Sequence, residues 1–345
     1  MGQPRVVLLE AGVKTFATGL LPDLITSLRA CAPGDLLRIS ATDSSSIGAE
    51  LESWCRVTRN SIVEVTRTSA ATSWVIRCGE LPQSFQPERP VGSRLWLYAN
   101  FDCNLRCDYC CVRSSPRAPR RALGYERFRR IAAEAADLNV REIFVTGGEP
   151  FLLPDIAPSV AACATTAPTT LLTNGMLFSG RRLEALRTLS RSRVTLQISL
   201  DSPTPQLHDL HRGQGSWMRA WAGVQIARAE GFRVRIAATV TTDVEEQAFS
   251  RFLDESNVMP EDRVIRRIAM RGAAEEGVPI ARADLVPEIT ITAEGVYWHP
   301  VGAEDDDLLV TRNIFPLADA FSAVLSAFEQ EHRNAYRLAS IFNCA

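Results

Sequence analysis

No apolar run in this 345-residue chain approaches the about 20 residues that a membrane-spanning helix needs. A net charge of −2 leaves no basic excess for a general nucleic-acid or membrane-surface binder. The opening stretch MGQPRVVLLEAGVKTF lacks the cationic start and cleavage site of a secretion signal, and Val6 stands where myristoylation needs Ser or Thr. Membrane attachment and export are set aside, and a cytoplasmic protein is expected. Nine cysteines are an odd number, and three lie too close together for a disulfide framework, so reduced thiols are expected. With 46% hydrophobic and 23% charged residues the composition is that of a globular protein, and the length suits two or three domains.

What is present is a C-x₃-C-x₂-C triplet, Cys103, Cys107 and Cys110, in the run NFDCNLRCDYCC (Asn100–Cys111). Positions i, i+4 and i+7 could mark one buried helix face. The neighbours Asp102, Asn104, Arg106 and Asp108 are polar and poor helix formers, which argues against that reading. Three thiolates so spaced can take three corners of a cubic iron–sulfur cluster. Clusters used for electron transfer alone normally have four cysteines; a missing fourth leaves one iron for a substrate or cofactor.

On these residues the chain resembles the radical S-adenosylmethionine (SAM) superfamily, Tyr109 filling the aromatic slot before the last cysteine. VTGGEP (Val145–Pro150), LLTNG (Leu171–Gly175), QISLDSP (Gln197–Pro203) and HRGQGSW (His211–Trp217) are similar to the family's later motifs, in the family's order. The resemblance spans roughly Arg94 to Ala269 and implies one 4Fe-4S cluster on Cys103, Cys107 and Cys110, with SAM on the open iron. It implies that Gly147 and Gly148 bring backbone near the methionine moiety, that Glu149 accepts its amino group, and that Pro150 fixes the turn. Asn174, Ser199, Asp201 and Arg212 are then candidates for ribose and carboxylate contacts, and the Tyr109 backbone for adenine. A carboxylate in such a turn is expected to have little packing to lose. Cys111 and Cys344 are candidate hydrogen donors or bystander thiols. An electron donor such as flavodoxin or ferredoxin is implied. His208 and His211 are read as a solvated face, and Asp305–Asp307 as a solvated loop.

The fold expected is α/β, in four segments. Residues 1–82 read as βαβαββ, a small two-layer domain resembling the TusA-like sulfur carriers, but with Leu21 where the carriers have their acceptor cysteine. Cys31 and Cys55 fall in helical patterns there. Residues 83–93, within the stretch Glu80–Ser93 and its three prolines, read as a linker. Residues 94–271 alternate strands and helices, among them Tyr125–Leu138 and Trp217–Glu230, the latter with Ser216 as N-cap. Such alternation means parallel strands with right-handed crossovers, a partial (β/α)₆ barrel. Residues 272–345 hold a hairpin-like stretch and a final helix, similar in layout to SPASM/twitch extensions; only Cys344 lies there, so no auxiliary cluster is expected. The leading function is radical chemistry on a peptide or small natural product. The alternative is a sulfur-transfer or tRNA-modification component whose first domain docks a sulfur carrier or RNA. For that first domain, recognition of a substrate or partner and simple covering of apolar barrel surface both stand open.

Overall fold

The computed structural model describes residues 4–12, 14, 20–29, 31, 34–42, 47–58, 60–68, 71–79 and 90–341. They divide into two compact units, Met1–Gln86 and Pro87–Ala345. The first contains β1 (Val6–Gly12), α1 (Leu20–Arg29), β2 (Leu36–Ala41), α2 (Ile47–Thr58), β3 (Ser61–Arg67) and β4 (Thr72–Arg77). Its sheet runs β1-β2-β4-β3, with β1 parallel to β2 and β4 antiparallel to both neighbours. Strand alternation sends Leu37, Ile39, Trp74 and Ile76 to one face, where they pack with Leu20, Leu24, Ile47 and Leu51 of the helices. Cys55 joins this core. Cys31 lies past the end of α1, half-buried, its thiol donating to the Ser27 carbonyl at 3.4 Å. Leu21 is in the first turn of α1. Residues 80–89, most of the expected linker, lie outside the described residues.

The second unit begins with six strands joined by five helical crossovers: β5 (Arg94–Tyr98), α3 (Tyr125–Ala135), β6 (Glu142–Thr146), α4 (Ile156–Thr166), β7 (Thr169–Thr173), α5 (Gly180–Arg187), β8 (Val194–Ser199), α6 (Pro205–Arg212), α7 (Ser216–Ala229), β9 (Arg233–Val240), α8 (Asp243–Glu255) and β10 (Arg263–Arg267). β5 to β10 pair in sequence order and all in parallel, the partial (β/α)₆ barrel. The run Ile143-Phe144-Val145 in β6 is wholly buried, as strands covered on both faces must be. On α3, Phe128, Ile131 and Ala135 form the buried stripe that holds the helix to the sheet. The tail adds β11 (Thr290–Thr292), β12 (Gly295–Tyr297), β13 (Leu309–Thr311) and α9 (Leu317–Ile341). β11 runs parallel to β5, so the tail hairpin extends the barrel's own sheet at its first strand.

Three local readings change. The α7 helix starts at Ser216, not after it, with Gly215 as N-cap. Its cap comes from α6: Asp209 accepts from the backbone N–H of Gly215 at 2.7 Å and of Trp217 at 2.8 Å. His208 is 1% exposed rather than solvated, and His211 bonds Asp108 at 2.8 Å. The Asp305–Asp307 loop is solvated only in part: Asp306 and Asp307 are exposed, but Asp305 and Asp307 also pair with Arg113 and Arg271.

Helix α7 lies very close to the end of β7. A Cβ on Gly223 would stand 2.0 Å from the Gly175 carbonyl oxygen. Gly223→Ala therefore has to push the helix off the sheet, at about 1–3 kcal/mol for an overpacked site. Gly48→Ala in α2 meets only Trp74, at 3.9 Å, and gains helix propensity. Denaturant unfolding should show the first variant clearly weakened and the second unchanged or firmer; equal behaviour would contradict this packing.

Candidate functional site

The cysteine loop leaves the C-terminal end of β5, where barrel active sites are built. Its root is a backbone sandwich. Gly148 donates its N–H to the Asn100 carbonyl and Glu149 to the Asp102 carbonyl, both at 3.0 Å. A Cβ on Gly147 would lie 2.7 Å from the Asn100 carbonyl oxygen, and one on Gly148 2.3 Å from that of Asp102. The two glycines thus let the β6 turn lie flat against the loop. On the far side, Gly272 has φ +65° and a Cβ there would stand 2.3 Å from the Cys110 carbonyl oxygen. Ala273 donates to that same carbonyl at 2.8 Å. Asn100, which the sequence reading passed over, crosses the root, its amide donating to the carbonyls of Asp102 and Glu149 at 3.0 Å. A polar residue directly after an apolar strand was the available signal.

Glu149 does not sit at the surface of its turn. It is fully buried, its Oε1 accepting from the Phe151 N–H at 3.0 Å and the Thr173 hydroxyl at 2.8 Å, its Oε2 from the Asn174 N–H at 2.8 Å. Burial outweighs these bonds and holds the carboxyl above its ordinary range. The expectation of little packing to lose is therefore corrected: this side chain ties the β6 turn to the end of β7. Pro150, buried, opens the short 3₁₀ turn that Glu149 caps. Asn174 in turn donates to Asn104 of the cysteine loop at 2.8 Å.

Tyr109, Asp201 and Arg212 come together. The Arg212 fork meets Asp201 at 2.5 and 3.1 Å, and Asp201 also accepts from the Thr239 N–H at 3.0 Å and from the Tyr109 hydroxyl. Burial would push the Asp201 carboxyl up; the Arg212 charge and hydrogen bonds, with Tyr109, hold it below the ordinary range. The Arg212 guanidinium lies 5.5 Å from the Tyr109 ring centre. His208 accepts the Asp201 N–H on Nδ1 at 3.1 Å, while Nε2 is buried with no partner among the described residues. Burial, then the charge of Arg212, push its pKa down to about 4, so the ring is neutral. Ser199, half-buried, ends β8 beside this cluster.

Three free cysteine thiols on one loop are a donor set that suits an iron–sulfur cluster. The Cys103 sulfur accepts from the Leu105 N–H and the Cys110 sulfur from the Ser114 N–H, each at 3.3 Å, the kind of bond that orients thiolate ligands. Among the described residues no His, Cys, Asp or Glu triplet closes around a single ion. Burial pushes the Cys103 thiol up to about 12 and Cys107 to about 11, so metal binding has to release their protons. A cavity of about 1570 Å³ opens over Cys107 and Tyr109, with Arg106, His211, Thr241 and Glu275 among its walls. Cys111, half-buried, is not among the residues that line this cavity. Cys344 lies outside the described residues.

Residues 100–255 match the model of the radical SAM superfamily. Among curated proteins, the chain is 33% identical over 150 residues to the antilisterial bacteriocin subtilosin biosynthesis protein AlbA of Bacillus subtilis (strain 168), covering 42% of this chain and 33% of that protein. It is 30% identical over 156 residues to GTP 3′,8-cyclase of Tolumonas auensis, covering 44% and 46%. The chain thus spans about a third to a half of the length of these relatives. The solved structure of anSMEcpe with bound AdoMet and Kp18Cys peptide shares the fold, with a TM-score of 0.53 at 13% identity, over 66% of this chain and 79% of that one. Residues 100–255 are thus a radical SAM domain, of a family that uses a 4Fe-4S cluster and SAM. Among the described residues, no helix is long and apolar enough to cross a membrane.

Two outcomes follow from the buried groups. Glu149→Ala leaves three donors unpaired, at about 1–3 kcal/mol each, so the apoprotein should unfold at markedly lower denaturant. A variant with wild-type stability would restore the surface-turn reading. His208 has a depressed folded pKa, so the unfolded chain binds the extra proton; stability is intact above about 6.5 and falls as pH drops toward 4. The 2.5-unit gap corresponds to about 3 kcal/mol at most. His208→Asn, whose side-chain oxygen can accept the Asp201 N–H, should flatten stability against pH in that window; an unchanged slope would contradict it.

Proposed function

We propose that this radical SAM enzyme acts on a peptide or peptide-like natural product lying over the cysteine loop. The observation that carries this reading is the size of the cavity at the barrel mouth, about 1570 Å³. A site for one small ligand is usually about 300–1,000 Å³, so SAM leaves room for a second, extended molecule. The match to a bacteriocin biosynthesis protein supports a peptide; the match to GTP 3′,8-cyclase keeps a nucleotide as the competing substrate class.

Cys103, Cys107 and Cys110 hold three irons and leave the fourth for SAM. When bound, the cluster and SAM together supply a 5′-deoxyadenosyl radical that takes hydrogen from the substrate. Gly147, Gly148 and Pro150 shape the methionine side of the pocket, with Glu149 fixing that shape from behind. Asn174 and Ser199 present polar groups at the ends of β7 and β8, the Tyr109 backbone serves adenine, and Asp201 and Arg212 act through the loop they hold. The first unit recognises the substrate or a partner. Leu21 at the start of α1 provides no thiol for sulfur relay. The electron donor is a flavodoxin- or ferredoxin-type protein, and the reduced cluster suits the cytoplasm.

Anaerobic reconstitution should give about four irons per chain, one cubane, and dithionite with SAM should yield 5′-deoxyadenosine. Cys107→Ala should abolish both; about eight irons, or cleavage that survives the variant, would contradict the assignment. A short peptide encoded beside the gene should raise 5′-deoxyadenosine yield and emerge with altered mass, whereas stimulation by GTP instead would point to the nucleotide class.

A further inference from the structure

A buried ion pair stands against the cluster loop. Arg212, 9% exposed, and Asp201, 2% exposed, are joined through the guanidinium Nε and Nη2, at 2.5 and 3.1 Å. Tyr109, between the second and third cluster cysteines, donates its hydroxyl to Asp201 and lies under the Arg212 guanidinium. The loop is fastened again next door, where the Asp108 N–H donates to the His211 carbonyl at 3.2 Å. Both charges are therefore fixed beside the Cys107–Cys110 side of the loop, out of the solvent that would screen them.

We infer that Arg212 and Asp201 are positioning residues that set the reduction potential of the cluster, Arg212 raising it and Asp201 partly cancelling that rise. This rests on the radical SAM reading above. Reduction adds negative charge to the cluster, and cluster potentials respond to nearby charge, hydrogen bonds to sulfur and solvent exposure. A cation held near one corner favours the reduced state, and an anion beside it opposes that. The Arg212 guanidinium lies 5.5 Å from the centre of the Tyr109 ring, so its charge sits against the residue between Cys107 and Cys110. The other charged and titratable groups facing the pair are His208, which is neutral, and His211, which is turned to Asp108. The arrangement lets one loop be both mechanically latched and electrostatically tuned. A donor of modest strength could then reduce the cluster without the loop having to move.

The test is a SAM-free redox titration of the reconstituted full-length protein, read by the spectrum of the reduced cluster. Arg212→Gln should shift the midpoint to more negative potential, and Asp201→Asn should shift it to more positive potential. Arg212→Lys, which keeps the charge, should stay near wild type. Tyr109→Phe removes the hydroxyl bond but no charge; it should leave the midpoint in place while speeding hydrogen exchange of residues 103–112. A purely structural role would loosen the loop in both charge variants and move their midpoints the same way. That result, or midpoints that do not move while four irons are retained, would overturn the inference and leave the radical SAM reading standing. A charge variant that cannot hold a cluster is replaced by the Lys and Phe forms, where a displaced Lys midpoint equally overturns it. Failure of the wild-type protein to take up any cluster would overturn both readings.

Discussion

Close backbone approach at the root of the cysteine loop is the constraint on which the site depends. Gly147 and Gly148 lie against Asn100–Asp102 on one side, and Gly272 against Cys110–Cys111 on the other. Any side chain at these three positions would occupy space already taken by backbone. The loop has no helix or strand of its own to stiffen it, so its order comes from neighbours that reach it without bulk. Cys103 and Cys107, whose thiols burial pushes up, are held in this loop before any metal arrives.

The polar groups at the strand ends are spent mainly on one another. Glu149 joins β6 to β7 through three donors, and Asn174 carries that link on to Asn104 in the loop. Asp201 joins β8, β9, α6 and the loop through Thr239, Arg212 and Tyr109. Each buried carboxylate is matched by donors, as burial demands. The outcome is a rim in which the cofactor pocket is shaped by residues that are themselves immobilised, a requirement for positioning reacting atoms closely.

Much of this was legible in the sequence, because the signals were local. The cysteine spacing, the Gly-Gly-Glu-Pro turn and the apolar runs of β5 to β10 can each be read within a few residues. What could not be read was pairing between distant segments. Tyr109 meets Asp201 across 92 positions, and Arg113 meets Asp305 across 192. A sequence shows that polar groups gather at strand ends, but not which of them satisfy each other and which remain for a ligand. Hence Glu149 read as a side chain with little packing to lose, and His208 as surface. The Ser216 cap was misplaced for the same reason: the group that caps α7 is Asp209, on the preceding helix. The tail hairpin was visible as a hairpin, but its pairing with β5 is a long-range event that no periodicity announces.

The central claim is that three cysteines hold a cluster whose fourth iron is open to SAM. Electron paramagnetic resonance of the dithionite-reduced, reconstituted protein addresses it most directly, with spectra recorded before and after SAM is added. An open iron that takes SAM changes its ligand field, so the g values should shift on addition. Superimposable spectra with and without saturating SAM would show a cluster closed to the cofactor and would contradict the account.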